Sequence, residues 1–222
     1  MAFPYDPSLV VDYFDDLAEG EWDRLERDPE AGLGDRVEDR LLIDVVDMSA
    51  LDTGTFDAVV CYGGVLSYVM DRRGQGLEEC VRLTKPGGLL LMSVMSLWGS
   101  VHKGLSFVMS VPRESNEAII ASGDITSEVL PGHRHFCHAF RGTEFRALLE
   151  EAGPAIEAMS ASTCLTTAWG DRLADIRPDD ARWAELPEME FKADRSEAES
   201  RVFRNMADAC VRLGIPRPLA DH

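Results

Sequence analysis

Thr55-Phe56-Asp57-Ala58-Val59-Val60-Cys61, running into Tyr62-Gly63-Gly64, and Lys85-Pro86-Gly87-Gly88, running into Leu89-Leu90-Leu91-Met92-Ser93-Val94, decide the fold of this 222-residue chain. Both apolar runs are continuous rather than alternating, the pattern of strands covered on both faces. Between them Leu77, Cys80, Val81 and Thr84 fall at helical spacing, and Pro86-Gly87 stops that helix. A strand, a crossover of more than about a dozen residues containing a helix, and a second strand form a βαβ unit with parallel strands. The expected class is therefore α/β.

Upstream, Val37 to Val46 is rich in β-branched and aliphatic residues around Leu41-Leu42-Ile43 and reads as a further strand, followed by a polar connection from Ser49 to Gly54. Before it, Val10, Phe14, Leu17, Trp22 and Leu25 fall at helical spacing, and Asp28-Pro29 through Gly34-Asp35 ends that helix. Downstream, Trp98 to Met109 and Glu114 to Ala121 are helix candidates, and Gly132 to Phe140 reads as a strand. Phe145, Leu148, Leu149 and Ala152 make the apolar stripe of a helix entered at Thr143 and closed by Gly153, after which Ala155 to Thr163 returns as a strand. The segment from Asp171 is acidic and Pro-rich. In it Ser196-Glu197-Ala198-Glu199 makes a capping box for a helix with Val202, Phe203, Met206, Cys210 and Leu213 on one side. The organisation expected is a helical cover over 1–30, a main domain over 36–165 and an acidic helical segment over 171–222.

The net charge is -18, with only three Lys against 19 Arg and acidic residues spread throughout. Phosphate contacts need clustered cations, so nucleic acid and anionic membrane are excluded as partners in favour of small molecules. An evenly acidic, lysine-poor composition resembles proteins of salt-accumulating organisms, where ions screen the self-repulsion. An ordinary acidic cytosolic protein is the alternative. No run approaches the roughly 18 apolar residues of a membrane span, and the first residues lack the order of a signal peptide, so a cytoplasmic location is expected. Cys61, Cys80, Cys137, Cys164 and Cys210 include no Cys-x-x-Cys pair and read as reduced core thiols.

The Phe56-Asp57 strand with its Cys61 to Gly64 bend, the Lys85-Pro86-Gly87-Gly88 turn and the late strand-helix-strand ending together resemble the second half of a class I S-adenosylmethionine-dependent methyltransferase. The resemblance implies a Rossmann-like three-layer sandwich with a mostly parallel sheet, S-adenosylmethionine as cofactor, and methyl transfer to an O, N or C nucleophile of a small molecule. It also implies site residues just past the carboxyl ends of the strands. Asp44 matches the position whose carboxylate accepts a hydrogen bond from the adenine amino group, with the backbone of Val45 reading the ring edge. Two readings of Asp44 stand, that one and a turn cap. Cys61, Tyr62 and Gly63 bend where small residues let backbone approach the methionine part of the cofactor, or simply make a turn. Tyr13 resembles a residue of the segment that covers the cofactor, or packs for its area. Asp57 and Lys85 read as structural.

His133, His135 and His138 do not form a metal set, since a strand turns the third away from the first two and no carboxylate completes the ligands. His138 matches the late strand that reaches the acceptor and is the candidate for a substrate contact or general base.

A complete domain of this class has a strand and a Gly-rich turn upstream of the Asp44 strand, and this sequence shows neither. Gly32-Leu33-Gly34 has no strand before it and no helix after it. The expected sheet is accordingly truncated by its first two strands, leaving an exposed edge that the N-terminal helix, or a second copy in a homo-oligomer, would cover. A non-catalytic, shortened relative acting as a partner subunit is the alternative function. A nicotinamide-dependent reductase is weaker, because neither its fingerprint nor a Tyr-x-x-x-Lys pair occurs.

Overall fold

The computed structural model describes residues 4–6, 41, 43–162, 165–166, 172–173, 180–195 and 206–212. The central unit is β1 (Phe56–Cys61), α1 (Val65–Tyr68), a 3-10 turn (Met70–Arg72), α2 (Arg73–Leu83) and β2 (Thr84–Met95). β1 and β2 are parallel, with Ala58 to Cys61 opposite Leu89 to Met92. The crossover helix forms because Leu77, Cys80 and Leu83 bury one face against the sheet. It stops one residue earlier than the spacing suggests. Thr84 is already extended and returns its hydroxyl to the Cys80 carbonyl at 2.8 Å.

After β2 come α3 (Leu97–Lys103), α4 (Leu105–Val108), α5 (Arg113–Ser122), the short strands β3 (Asp124–Ile125) and β4 (Cys137–His138), α6 (Gly142–Glu151), β5 (Ala155–Ser162), α7 (Asp180–Arg195) and β6 (Met206–Arg212). The main sheet runs β1-β2-β6-β5, and β3-β4 form a separate antiparallel pair. The α/β, Rossmann-like architecture is present. Its parallel pairing among the described strands is confined to β1 and β2, because β6 lies antiparallel to both β2 and β5.

Three local expectations are corrected. The helix expected to carry Met206 and Cys210 is instead β6 over Met206–Arg212, whereas Ser196–Glu199, Val202, Phe203 and Leu213 lie outside the described residues. Flanking edges of β2 and β5 offer β6 a full ladder of backbone partners, and those bonds outweigh a local helical spacing. The strand expected over Val37 to Val46 is, in its described part, a turn closed by Asp47 N donating to the Asp44 carbonyl at 2.9 Å. The strand expected over Gly132 to Phe140 shrinks to Cys137–His138, with Gly132 at φ +84° and the rings of His133 and His135 committed to Phe107 and Tyr68.

The principal core joins Leu90, Met92 and Val94 of β2 to Leu66, Leu77, Phe140, Phe145 and Leu149. Each such side chain contributes about 1.5–3 kcal/mol on burial. A smaller cluster of Leu97, Ile119, Leu130 and Ala139 seats α3 and α5. β1 departs from the buried-strand pattern: Cys61 is buried, but Val60 on the opposite face is 63% exposed. No helix among the described residues is long and apolar enough to cross a membrane.

Candidate functional site

The loop after Ile43 is held on α2 by polar bonds that sequence spacing does not announce. Gln75 Nε2 donates to the Val46 carbonyl at 2.8 Å, and Met48 N donates to Glu79 Oε2 at 2.9 Å. Arg82 donates to the carbonyls of Met48 and Leu51 at 2.8 and 2.9 Å and pairs with Glu79. The hydrogen bond from Arg82 is the main reason the Glu79 carboxyl lies below its ordinary value. Polar backbone in this loop is thus satisfied by three side chains spaced along one helix.

Within the loop, Asp44 Oδ1 accepts the Val46 N–H at 3.1 Å, which realises the turn-capping reading, and Oδ2 accepts the Tyr5 hydroxyl at 3.0 Å. Burial first, then the hydrogen bond to Asp44, push the Tyr5 hydroxyl up to about 12, so it stays a donor. Tyr5 N donates to Asp71 Oδ1 at 2.8 Å, and the Arg72 guanidinium lies 5.7 Å from the Tyr5 ring centroid. Tyr5, Asp71 and Arg72 were not visible as site residues in the sequence. They lie 39 and 66 positions apart along the chain in their bonds to Asp44 and Tyr5, with no spacing rule to link them.

The second part of the site is the bend after β1. Cys61 is buried, Tyr62 is exposed, and Gly63 and Gly64 have φ +84° and +78°, a region that favours glycine. Gly63 N donates to Ser93 Oγ at 3.1 Å, and Ser67 Oγ accepts Met95 N at 2.9 Å, so the bend is fastened to the end of β2. A Cβ on Gly63 would meet nothing within 4 Å, which leaves open space beside this backbone.

The two parts meet at Gly76. A Cβ there would lie 3.0 Å from Leu66 Cδ2, 3.5 Å from Val45 Cγ1 and 3.7 Å from Val46 Cγ1. Val45, next to Asp44, is therefore brought through Gly76 to Leu66 of α1, the helix that follows the Cys61 to Gly64 bend. Tyr13 lies outside the described residues. His138 is elsewhere: its Nδ1 lies 2.7 Å from Asp124 Oδ1 and its Nε2 2.8 Å from Glu144 Oε1, so neither ring nitrogen is a free proton acceptor.

Residues 10–92 match the family model described as a methyltransferase domain. No curated protein matches the chain. Among solved structures, an S-adenosylmethionine-dependent methyltransferase from Mesorhizobium loti is 17% identical with a TM-score of 0.48, over 85% of this chain and 74% of that one. A methyltransferase of the same dependence from Methanosarcina mazei is 14% identical with a TM-score of 0.47, over 79% of this chain and 66% of that one. The methyltransferase complex of Haloferax volcanii with the Trm112 methyltransferase activator is 18% identical with a TM-score of 0.44, over 80% of this chain and 62% of that one. The chain spans less than two thirds of the latter two structures. The matched segment is thus similar to a methyltransferase domain, and the first two of these solved structures are S-adenosylmethionine-dependent methyltransferases.

Proposed function

We propose that this chain transfers the sulfonium methyl of S-adenosylmethionine to an O, N or C nucleophile of a small molecule. The observation that carries the proposal is the packing of Val45, next to Asp44, and of Leu66, two residues past the Cys61 to Gly64 bend, against the same Gly76. In this reading Asp44 and Val45 hold the adenine edge, while Cys61, Tyr62 and Gly63 line the approach to the methionine part, where the open space beside Gly63 accommodates a ligand. The bound cofactor supplies an electrophilic methyl. The protein's task is to align an acceptor with it, which is why the reading needs no metal and no dedicated acid.

The net charge of -18 supports an acceptor that is not a nucleic acid. Calorimetric titration with S-adenosylmethionine and S-adenosylhomocysteine tests the reading. Binding is expected, and an absence of heat at high micromolar ligand rejects it.

A second reading is a non-catalytic partner subunit. It is favoured by β1, which pairs only with β2 among the described strands. An edge of this kind invites pairing with a second chain. Light scattering decides between a pairing subunit and a monomer.

A further inference from the structure

His138 is a buried ionisable group with no part in the proposed alignment of donor and acceptor. It is 1% exposed, on β4, with Asp124 of β3 on one ring nitrogen and Glu144 of α6 on the other. A neutral imidazole has one N–H and one lone pair, so between two ionised carboxylates it satisfies one and sets its lone pair against the other. An imidazolium donates to both. Burial of the ring opposes this charge, and the bonds to Asp124 and Glu144 outweigh it, holding the ring above its ordinary 6.5. Burial likewise pushes the Glu144 carboxyl up, but the His138 bond and charge prevail and leave it below its ordinary value.

Glu144 continues the contact outward. Its Oε1 lies 3.6 Å from Arg73, whose Nη1 donates to the Met70 carbonyl at 2.6 Å and whose guanidinium lies 5.7 Å from the Phe140 ring centroid. Met70 has φ +47°, a left-handed conformation costly for a side chain of this kind, so the Met70–Arg72 turn depends on what grips it. The next residue, Asp71, accepts Tyr5 N, and the Tyr5 hydroxyl reaches Asp44.

We propose that His138 is a positioning residue: as a buried imidazolium it holds, through Glu144 and Arg73, the Met70–Arg72 turn that carries Tyr5 and Asp44. Its last link, from Asp44 to cofactor, rests on the function proposed above. The charged and titratable groups around the ring are Asp124 from β3, Glu144 from α6 and Arg73 from α2. The Cys137 thiol, which burial and Asp124 push up to about 12, stays neutral. Because the folded ring is held above 6.5, the link is complete below that pH and is lost as pH rises through the folded pKa.

Nuclear magnetic resonance of the full chain with labelled histidine tests this. The His138 ring is expected to titrate above 6.5, and the amides of Tyr5, Met70, Asp71 and Arg72 to shift with the same midpoint. In Arg73→Met the ring still titrates, with a midpoint moved further up because a neighbouring cation has gone, while the amides of Met70, Asp71 and Arg72 lose the step. Arg73→Lys, which keeps the charge but not the forked reach, shows the same loss of the step if the Met variant does not fold.

A ring that titrates at or below 6.5, or an undiminished amide step in either variant, overturns the proposal. Titration with S-adenosylhomocysteine across the same pH range checks the last link, with affinity expected to fall about tenfold as the ring loses its proton, equivalent to one unit of coupling. Binding without a pH step, despite stepping amides, removes Asp44 from the chain of contacts. No binding at any pH rejects the cofactor reading and leaves the amide steps to judge the link from His138 to the turn.

Discussion

Adjacent glycines in Lys85-Pro86-Gly87-Gly88 do different work. Gly87 has φ +81° inside β2, where the register against β1 shifts between Thr84 and Leu89, whereas a Cβ on Gly88 would lie 2.8 Å from the Asp57 carbonyl oxygen and 2.9 Å from that of Lys85. Backbone cannot retreat as a flexible side chain can. Gly88→Ala is expected to destabilise the protein by about 1–3 kcal/mol, read as a lower urea midpoint at unchanged slope. Tyr5→Phe removes the donor to Asp44 Oδ2 while leaving the ring beside Arg72. Loss of one such bond, about 1 kcal/mol, is expected to weaken S-adenosylhomocysteine binding about fivefold in a calorimetric titration, with the melting temperature nearly unchanged. The sequence marked Asp44 and the Cys61 to Gly64 bend because both follow apolar runs, but it was silent on Tyr5, which has no partner within helical or strand spacing. His138 shows the converse. Its residue type suggested a substrate contact or general base, and the two carboxylates around it, contributed by β3 and α6, support the positioning role proposed above.

Elements that pack along their whole length were the legible ones. The run from Thr55 to Cys61 became β1, the stripe of Phe145, Leu148, Leu149 and Ala152 became α6 and its flank, and Ala155 to Ser162 became β5. Phe145 is fully buried between Phe140 and the core, with its ring centroid 5.7 Å from that of Phe140. Phe145→Ala is expected to cost about 3–5 kcal/mol by chemical denaturation, because it leaves a cavity beside Phe140 in the principal core. Strands whose identity lies in pairing rather than in pattern were not legible. Met206–Arg212 carries spacing compatible with a helix, yet it completes a ladder between β2 and β5. The Asp44 to Asp47 segment reads as the end of a strand, yet Gln75, Glu79 and Arg82 hold it as a turn.

Across the molecule, 40 acidic residues against 22 basic ones make self-repulsion the dominant long-range term. Raising potassium chloride toward 1 M, where the Debye length falls to about 3 Å, is expected to raise the melting temperature, with the largest gain at the low end of the range. A melting temperature that falls or stays level across that range rejects the resemblance to proteins adapted to salt. The class of fold was settled by the amino-acid sequence alone, since continuous apolar runs separated by a helix and a Pro-Gly stop allow only a parallel crossover unit. The packing of Val45 and Leu66 about Gly76, the grip of Tyr5 on Asp44 and the bracketing of His138 by Asp124 and Glu144 were decided only by the tertiary structure. Periodicity reports which face of an element is apolar, but the polar contacts of a site are made between elements distant in the chain, whose approach is set by packing of the core beneath them.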